Sequence, residues 1–152
     1  QNATGDDVAT VVTRFLDTFF AEGGKYIPGF GHRFHKVDPR TNRLMDLIAT
    51  SRDAGVVSGN VMNIAREMER QVSARKDRPI NMNIDGATAV VYTELGFPAP
   101  LARGFFCLSR SVGILAHAWE QTQQGGRNKG PIPRDMIWSY TGKPHRKVER
   151  PS

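Results

Sequence analysis

The sequence predicts an all-α protein of about five helices. Apolar residues recur at three- and four-residue spacing in several segments, which is typical of helices with one buried face. Glycine or proline interrupts the pattern between these segments, and no alternating strand pattern of useful length is present. With 152 residues, of which 39% are hydrophobic, the chain is long enough to bury the core of one domain.

The first two helices have clear start and stop signals. Residues 8–20 carry one apolar face, with Thr4 or Asp6 as the predicted cap and Gly23 and Gly24 as the stop. The second helix is predicted to begin at Pro39, because Asp38 is a suitable cap and proline fits the first helical position. Gly55 ends it.

Three further helices follow. The third is predicted over residues 59–75, with a basic end that complements the helix dipole, and the segment 81–85 is expected to be a short polar turn. The fourth is expected to start at Asp85 and Gly86 and to run through Leu95. The fifth, residues 100–123, has the longest apolar periodicity, and a proline-rich extended tail follows it.

The net charge of +6 is concentrated at the C-terminus. Residues 127–152 contain seven basic side chains against Asp135 and Glu149, which leaves +1 for the rest of the chain. Such a segment attracts anions, among them nucleic acid, membrane surfaces and phosphorylated ligands. Because no zinc spacing or RNA-binding motif accompanies the charge, we expect no nucleic-acid partner, although a basic tail that binds nucleic acid remains a third reading.

Cysteine use and hydropathy indicate where the protein works. Cys107 is the only cysteine, so an internal disulfide is impossible and a reducing, cytoplasmic location is expected. The charge-free run 111–119 is too short to cross a bilayer, and the start of the chain lacks the features of a signal peptide. We therefore expect no membrane association.

The loop after the first helix has the most unusual local sequence, Pro28-Gly29-Phe30-Gly31-His32-Arg33. Two alternate glycines allow the backbone to approach a ligand and direct its N–H groups toward it. His32 is then well placed to exchange a proton, although a tight turn with a surface histidine has the same sequence. His32 and His35 lack a third ligand at convincing spacing, so we expect no metal site.

Two charged residues have both a structural and a functional interpretation. Asp85 is either a helix cap or a carboxylate base that its apolar surroundings partly desolvate. Arg110 lies within the apolar periodicity of the fifth helix, where a buried cation needs an anionic partner. That partner is either a structural carboxylate or the carboxylate of a substrate.

Taken in order, the motifs resemble those of the citrate synthase superfamily over residues 26–142. They are Pro28-Gly-Phe-Gly-His-Arg33, Asp38-Pro-Arg40, Asn83-Ile-Asp85-Gly86, Leu95-Gly-Phe-Pro98, Ser109-Arg110-x-x-Gly113-x-x-Ala116-His117 and Tyr140-Thr-Gly142. The segments Asn-Ile-Asp-Gly-Ala and Leu-Ala-Arg-Gly-Phe-Phe are most similar to the citryl-CoA lyase branch of the superfamily. The resemblance implies cleavage of citryl-CoA to acetyl-CoA and oxaloacetate, or the reverse condensation, without a permanently bound cofactor.

The resemblance also implies roles for individual residues. His32 would hydrogen-bond the oxygen that is carbonyl in oxaloacetate and hydroxyl in citryl-CoA, and Asp85 would exchange the acetyl α-proton. Carboxylates of the substrate would be held by Arg110 and by Arg146 or Arg150 of the C-terminal arm. Coenzyme A, as thioester substrate, would be bound by Pro28, Gly29, Phe30, Gly31, Lys36, Lys76, Arg78 and Asn83.

By the same resemblance, the chain corresponds to part of a superfamily member. Residues 1–98 would form the small, CoA-binding domain, residues 99–126 the long helix of the large domain, and residues 127–152 a basic arm. Nothing matches the N-terminal half of the large domain, so we expect a fragment, or one chain of a longer enzyme. The expected partner is a second copy in a homodimer, or the missing half. The alternative is a non-catalytic CoA-binding module that retains the fold.

Overall fold

The computed structural model describes residues 7–125, 133–136 and 142–147, and the predicted all-α fold is confirmed there. The helices are α1 (Val8–Ala21), α2 (Pro39–Asp53), α3 (Asn60–Lys76), α4 (Ile84–Glu94) and α5 (Ala99–Gln123), and a 3-10 turn covers Arg134–Met136. In this part of the chain, β pairing is limited to one antiparallel bridge between Phe30 and Met82. None of the described helices is long and apolar enough to cross a membrane.

Helix boundaries agree with the sequence predictions to within one or two residues, but the predicted cap of α1, Thr4 or Asp6, is wrong, and of the two interpretations of Asp85 the cap is excluded. Asp7 caps α1, since its carboxylate accepts a hydrogen bond from the Thr10 N–H at 2.8 Å. Asp38 caps α2 as predicted, with Pro39 at the first helical position. The cap of α4 is Asn83, which places Asp85 inside the first turn of the helix. Asp85 is therefore not a cap.

The core consists of two clusters on either side of α3. Helix α1 packs on α3, and α2 and α3 both pack on α4. The first cluster contains Val12, Leu16, Ile27 and Val72. The second contains Met45, Ile48, Met62, Ala65, Met82, Ala87 and Val90. The prediction of a polar turn over residues 81–85 is wrong, because Met82 is buried in this cluster. Its backbone pairs with Phe30 in the loop that follows α1.

The two ends of α4 are each held by a carboxylate. At its N-terminus, the buried Asp38 accepts a hydrogen bond from the Ile84 N–H at 3.1 Å. At its C-terminus, Glu94 accepts the N–H groups of Gly59, Val61 and Met62 at 2.8–3.2 Å and so caps α3 from another helix. Helix α4 is thereby fixed against α2 at one end and against α3 at the other.

Helix α5 leaves its apolar face uncovered in the described part of the chain. The structure describes no buried residue in it, and Leu108, Val112, Leu115 and Trp119 are each at least two-thirds exposed. Near its start, the Phe105 ring contacts the rings of Tyr92 and Phe97 at 5.0 and 4.9 Å between centroids. An apolar periodicity shows that a helix has a face to bury, but it does not show that the covering surface lies in the same chain.

The chain divides into two compact units, Gln1–Ser109 and Arg110–Ser152. This division falls within α5, whereas the boundary predicted from the sequence lies between residues 98 and 99. The candidate site described below lies in the first unit, apart from the predicted arginine ligands of substrate carboxylates.

Candidate functional site

The glycine-rich loop is attached to the segment before α4 by backbone hydrogen bonds. The Gly31 N–H donates to the Asn81 carbonyl at 2.7 Å, and the Asn83 N–H donates to the Gly29 carbonyl at 2.9 Å. These bonds flank the bridge between Phe30 and Met82. The loop that carries His32 and the helix that carries Asp85 are therefore joined side by side.

Gly29 and Gly86 make this close approach possible. Gly29 has a φ of +86°, a conformation that glycine adopts without steric cost. A Cβ added to it would lie 2.8 Å from the Cα of Gly86, and a Cβ on Gly86 would overlap the Gly29 carbonyl oxygen. The backbones of the loop and α4 are thus in direct contact, and neither position has room for a side chain.

His32 is exposed and held in one tautomer. Its Nδ1 accepts hydrogen bonds from the N–H groups of Phe34 and His35, both at 3.0 Å. A ring nitrogen that accepts two N–H groups carries no proton, so in the neutral imidazole the proton is on Nε2. His32 thus offers an N–H donor at the exposed edge of its ring.

Asn83 connects the loop to α4 through its side chain. Its Oδ1 accepts hydrogen bonds from the N–H groups of Asp85 and Gly86 at 2.9 and 3.2 Å. Its Nδ2 donates to the Gly31 carbonyl at 2.7 Å. The amide therefore bonds to the backbone on both sides of the junction.

Asp85 lies in the first turn of α4 with an exposed side chain. The sequence predicts a partly desolvated carboxylate at this position, and the exposure of Asp85 contradicts that expectation. The position still favours a carboxylate, since a helix N-terminus stabilises negative charge. Asp85 is therefore accessible to a ligand.

Arg40 is a further charged residue near Asp85, and no role is predicted for it from the sequence. Its guanidinium binds the buried Asp38 carboxylate through Nε and Nη2, both at 2.9 Å, while about half of the side chain remains exposed. The hydrogen bond to Asp38 is the main cause that raises the pKa of Arg40, and the charge of Asp85 raises it further. Arg40 thus adds a fixed positive charge within electrostatic reach of Asp85. The sequence signal for this pair is Asp38-Pro39-Arg40, in which an arginine lies two residues after the helix cap.

A cavity of about 930 Å³ opens beside the loop. Ile27, Phe30, Val72 and Ile80 supply its apolar lining. The cations that line it are Lys25, Arg33, Lys36, Lys76 and Arg78, and no Asp or Glu is found among its described lining residues. The Lys76 ammonium lies 5.1 Å from the centre of the Phe20 ring, within the range of a cation–π contact. The cavity is suited to an anionic ligand with an apolar or aromatic part.

The structure brings together only some of the residues predicted to bind coenzyme A. Phe30, Gly31, Lys36, Lys76 and Arg78 line the cavity, as does His32. Pro28, Gly29 and Asn83 are not among its described lining residues, and they form the turn and its junction with α4. Each assignment to a ligand remains a prediction.

The three arginines that are predicted to bind carboxylates of the substrate belong to the second unit. Arg110 and Arg146 are exposed, and Arg150 lies outside the described residues. Their part in the site remains a prediction. Among the described residues, no group of three His, Cys, Asp or Glu side chains is placed to hold a metal ion.

The fold and these motifs define a helical domain of the citrate synthase type. The family model of the C-terminal domain of citrate synthase matches residues 3–136, and the chain therefore belongs to the citrate synthase family. Citrate synthase 1 of Mycobacterium tuberculosis is 30% identical over 144 residues, which cover 91% of this chain and 32% of that protein. Citrate synthase of Acidithiobacillus ferridurans is 37% identical over 113 residues, which cover 72% and 29%.

Two solved structures are similar to this chain over nearly its whole length. Citryl-CoA lyase from Hydrogenobacter thermophilus has a TM-score of 0.61 and 29% identity, over 97% of this chain and 54% of that one. Citrate synthase from Thermotoga maritima has a TM-score of 0.63 and 26% identity, over 93% and 37%. The chain thus spans about a third of the length of the curated relatives it matches.

Proposed function

We propose that this chain supplies the CoA-binding part of an enzyme that cleaves citryl-CoA to acetyl-CoA and oxaloacetate, or that catalyses the reverse condensation. The observation that carries the proposal is the cavity, which has five cations and an apolar lining beside His32. The family and the similarity to citryl-CoA lyase and citrate synthase support the reaction class. The residues to which we assign the chemistry, His32 and Asp85, can act in both directions of the reaction.

Coenzyme A fits the character of the cavity. Its phosphates need several positive charges without competing carboxylates, and lysine and arginine around a glycine-rich loop supply them. Its adenine and pantetheine need apolar surface, which Phe30, Val72 and Ile80 offer. The thioester end would then extend from the cavity toward the junction between the loop and α4.

The chemistry is assigned to Asp85 and His32. In the condensation, the Asp85 carboxylate removes a proton from the acetyl methyl group, and the enolate carbon attacks the carbonyl carbon of oxaloacetate. The His32 Nε2–H donates a hydrogen bond to the oxygen on which negative charge develops. The resulting alkoxide then takes a proton from solvent. In the cleavage, the tertiary hydroxyl gives its proton to solvent while its oxygen accepts the hydrogen bond from His32, the carbon–carbon bond breaks, and the enolate carbon takes a proton from the protonated Asp85 carboxyl group.

The carboxylates of the second substrate require cations close to this chemistry. We assign this role to Arg110 and to Arg146 or Arg150, as the family resemblance implies. Arg40 joins them, because its half-exposed guanidinium lies within electrostatic reach of Asp85. Asp38 would orient that guanidinium for a bidentate contact.

The exposed side chains of α5 support the proposal that another polypeptide surface covers this helix. Contiguous exposed apolar side chains typically mark interaction surfaces, and Leu108, Val112 and Trp119 are all strongly exposed. We assign the covering surface to a second copy of the chain, as in a homodimer, or to the remainder of a longer protein.

The function is tested by replacing Asp85 with asparagine. Calorimetry with acetyl-CoA measures binding to the chain, and loss of methyl protons of acetyl-CoA in D₂O with oxaloacetate present measures catalysis. If the chain is part of a longer protein, catalysis is measured in that protein. In Asp85→Asn we expect normal acetyl-CoA affinity and exchange lower by about 10²–10⁴-fold, because a positioned acid–base group contributes that factor.

The matched control is Asp46→Asn, which removes an exposed carboxylate from α2 and should leave both measurements unchanged. Wild-type protein that binds acetyl-CoA no better than inorganic phosphate would contradict the whole proposal. Tight binding without any exchange in the wild type would instead favour the non-catalytic CoA-binding module.

A further inference from the structure

The two residues assigned to the chemistry lie on different elements, and one side chain joins those elements. His32 follows Gly31 in the loop, and Asp85 is the second residue of α4. Asn83 bonds to the backbone of both, through Oδ1 to Asp85 and Gly86 and through Nδ2 to Gly31. The backbone bonds nearby hold Gly29 and Gly31, so they fix the turn before His32.

The bond to Gly31 bears directly on His32. The Gly31 carbonyl belongs to the peptide group that leads into His32, and a bond of 2.7 Å to that oxygen fixes the plane of the peptide. At the other end, the two bonds to Oδ1 fix the first turn of α4, from which the Asp85 side chain projects. One amide therefore holds both attachment points.

We propose that Asn83 is a positioning residue, which sets the geometry between the Asp85 carboxylate and the His32 imidazole and has no ligand contact as its main role. The inference rests on the proposed function. Positioning of this kind affects the rate steeply, because a displacement of about 1 Å can lower catalysis by about 10²-fold. Asparagine suits the position because its amide both accepts and donates, whereas aspartate and serine can cap the helix without reaching the loop as donors.

Two substitutions of Asn83 keep its role as the cap of α4 and remove its hydrogen bond to the loop. Asn83→Asp keeps the oxygen for the N–H groups of Asp85 and Gly86 and replaces the donor to Gly31 with a second acceptor. Asn83→Ser also caps a helix, is too short to reach Gly31, and adds no charge. Since both retain a capping oxygen, we expect both variants to unfold within a few degrees of the wild type.

The decisive readout is steady-state kinetics, measured on this chain or, if it is part of a longer protein, on that protein. We expect kcat to fall about 10- to 100-fold in both variants, while the KM for the CoA thioester stays within about twofold. Asp7→Ser serves as the control. It also replaces a helix cap by serine, but the hydrogen bond that it affects lies within α1 and not between a helix and the loop. It should leave kcat unchanged.

The outcomes distinguish this inference from the proposed function. A wild-type protein without turnover would overturn the proposed function, and the inference with it. An active wild type whose Asn83 variants keep kcat would overturn the inference alone. A rise in KM at unchanged kcat would overturn it too, and would assign Asn83 to the coenzyme, as the sequence analysis predicts.

Discussion

Asp38 offers a direct test of how α2 and α4 are held together, through the isosteric substitution Asp38→Asn. The carboxylate is 1% exposed and accepts four hydrogen bonds, which come from the Arg40 N–H, Nε and Nη2 and from the Ile84 N–H. Asparagine offers one oxygen, so two donors face its NH₂ group. Hydrogen bonds to a charged group contribute roughly 1.5–3 kcal/mol each. Because the half-exposed Arg40 can regain water, we expect a loss of about 2–3 kcal/mol.

The pH dependence gives a second, independent readout. The hydrogen bond from the Arg40 side chain is the main cause that holds the pKa of Asp38 well below its usual range, although burial opposes it. A lowered pKa stabilises the folded state above the unfolded-state pKa of about 3.9, and that contribution is lost as the pH falls. The stability difference between wild type and Asp38→Asn should therefore shrink by about 1 kcal/mol between pH 4 and pH 3.

Thermal and urea unfolding at pH 7, 4 and 3 measure these effects. A loss of 2–3 kcal/mol corresponds to roughly 4–12 °C in the unfolding midpoint of a chain of this length. The control is Asp53→Asn, because Asp53 also pairs with an arginine, Arg52, but both side chains are exposed. It should shift the midpoint by less than about 2 °C. Equal effects of the two substitutions, or a pH-independent difference for Asp38, would refute the reasoning.

Two further predictions concern Glu94 and Gly86. Burial would raise the pKa of Glu94, but its hydrogen bonds from Met62, Gly59, Ser58 and Val61 outweigh that effect and lower it. Glu94→Gln should therefore cost about 1–2 kcal/mol in urea unfolding at pH 7, and this cost should diminish as the pH falls below about 4.5; a constant cost would contradict the cap. Gly86→Ala should lower both the unfolding midpoint and the affinity for acetyl-CoA in calorimetry, because its Cβ would overlap the Gly29 carbonyl. Gly104→Ala, with open space around it, should stabilise the chain by about 0.5–1 kcal/mol; similar effects of the two glycine substitutions would contradict the close contact.

Local signals were sufficient to predict the helices and the start of α2. Apolar spacing of three and four residues located all five helices, and Asp38 with Pro39 marked the start of α2. The same local signals leave Asp85 as a possible cap of α4, whereas Asn83 takes that position two residues earlier. Both residue types cap helices well, and the choice depends on the bond between Asn83 and Gly31, which joins positions 52 residues apart.

The remaining differences arise from tertiary contacts that no local pattern records. The apolar residues of α5 predict a helix face that requires a covering surface. The described part of the chain provides no surface that buries them. The role of Glu94 depends on a contact with residues more than 30 positions away. Such contacts can be inferred from sequence only through a family resemblance.

The contacts between motifs explain why the resemblance is concentrated in a few short segments. Asp38 of one motif bonds to Ile84 of another, and Gly31 of a third bonds to Asn83. The Thr41 hydroxyl adds a bond to the Met82 carbonyl, which lies between them. Each motif therefore fixes the backbone of the next, and a substitution in one alters the geometry of the others. Several residues of the motifs therefore serve to assemble the junction, whereas the side chains of His32 and Asp85 are exposed and that of Arg40 is about half exposed.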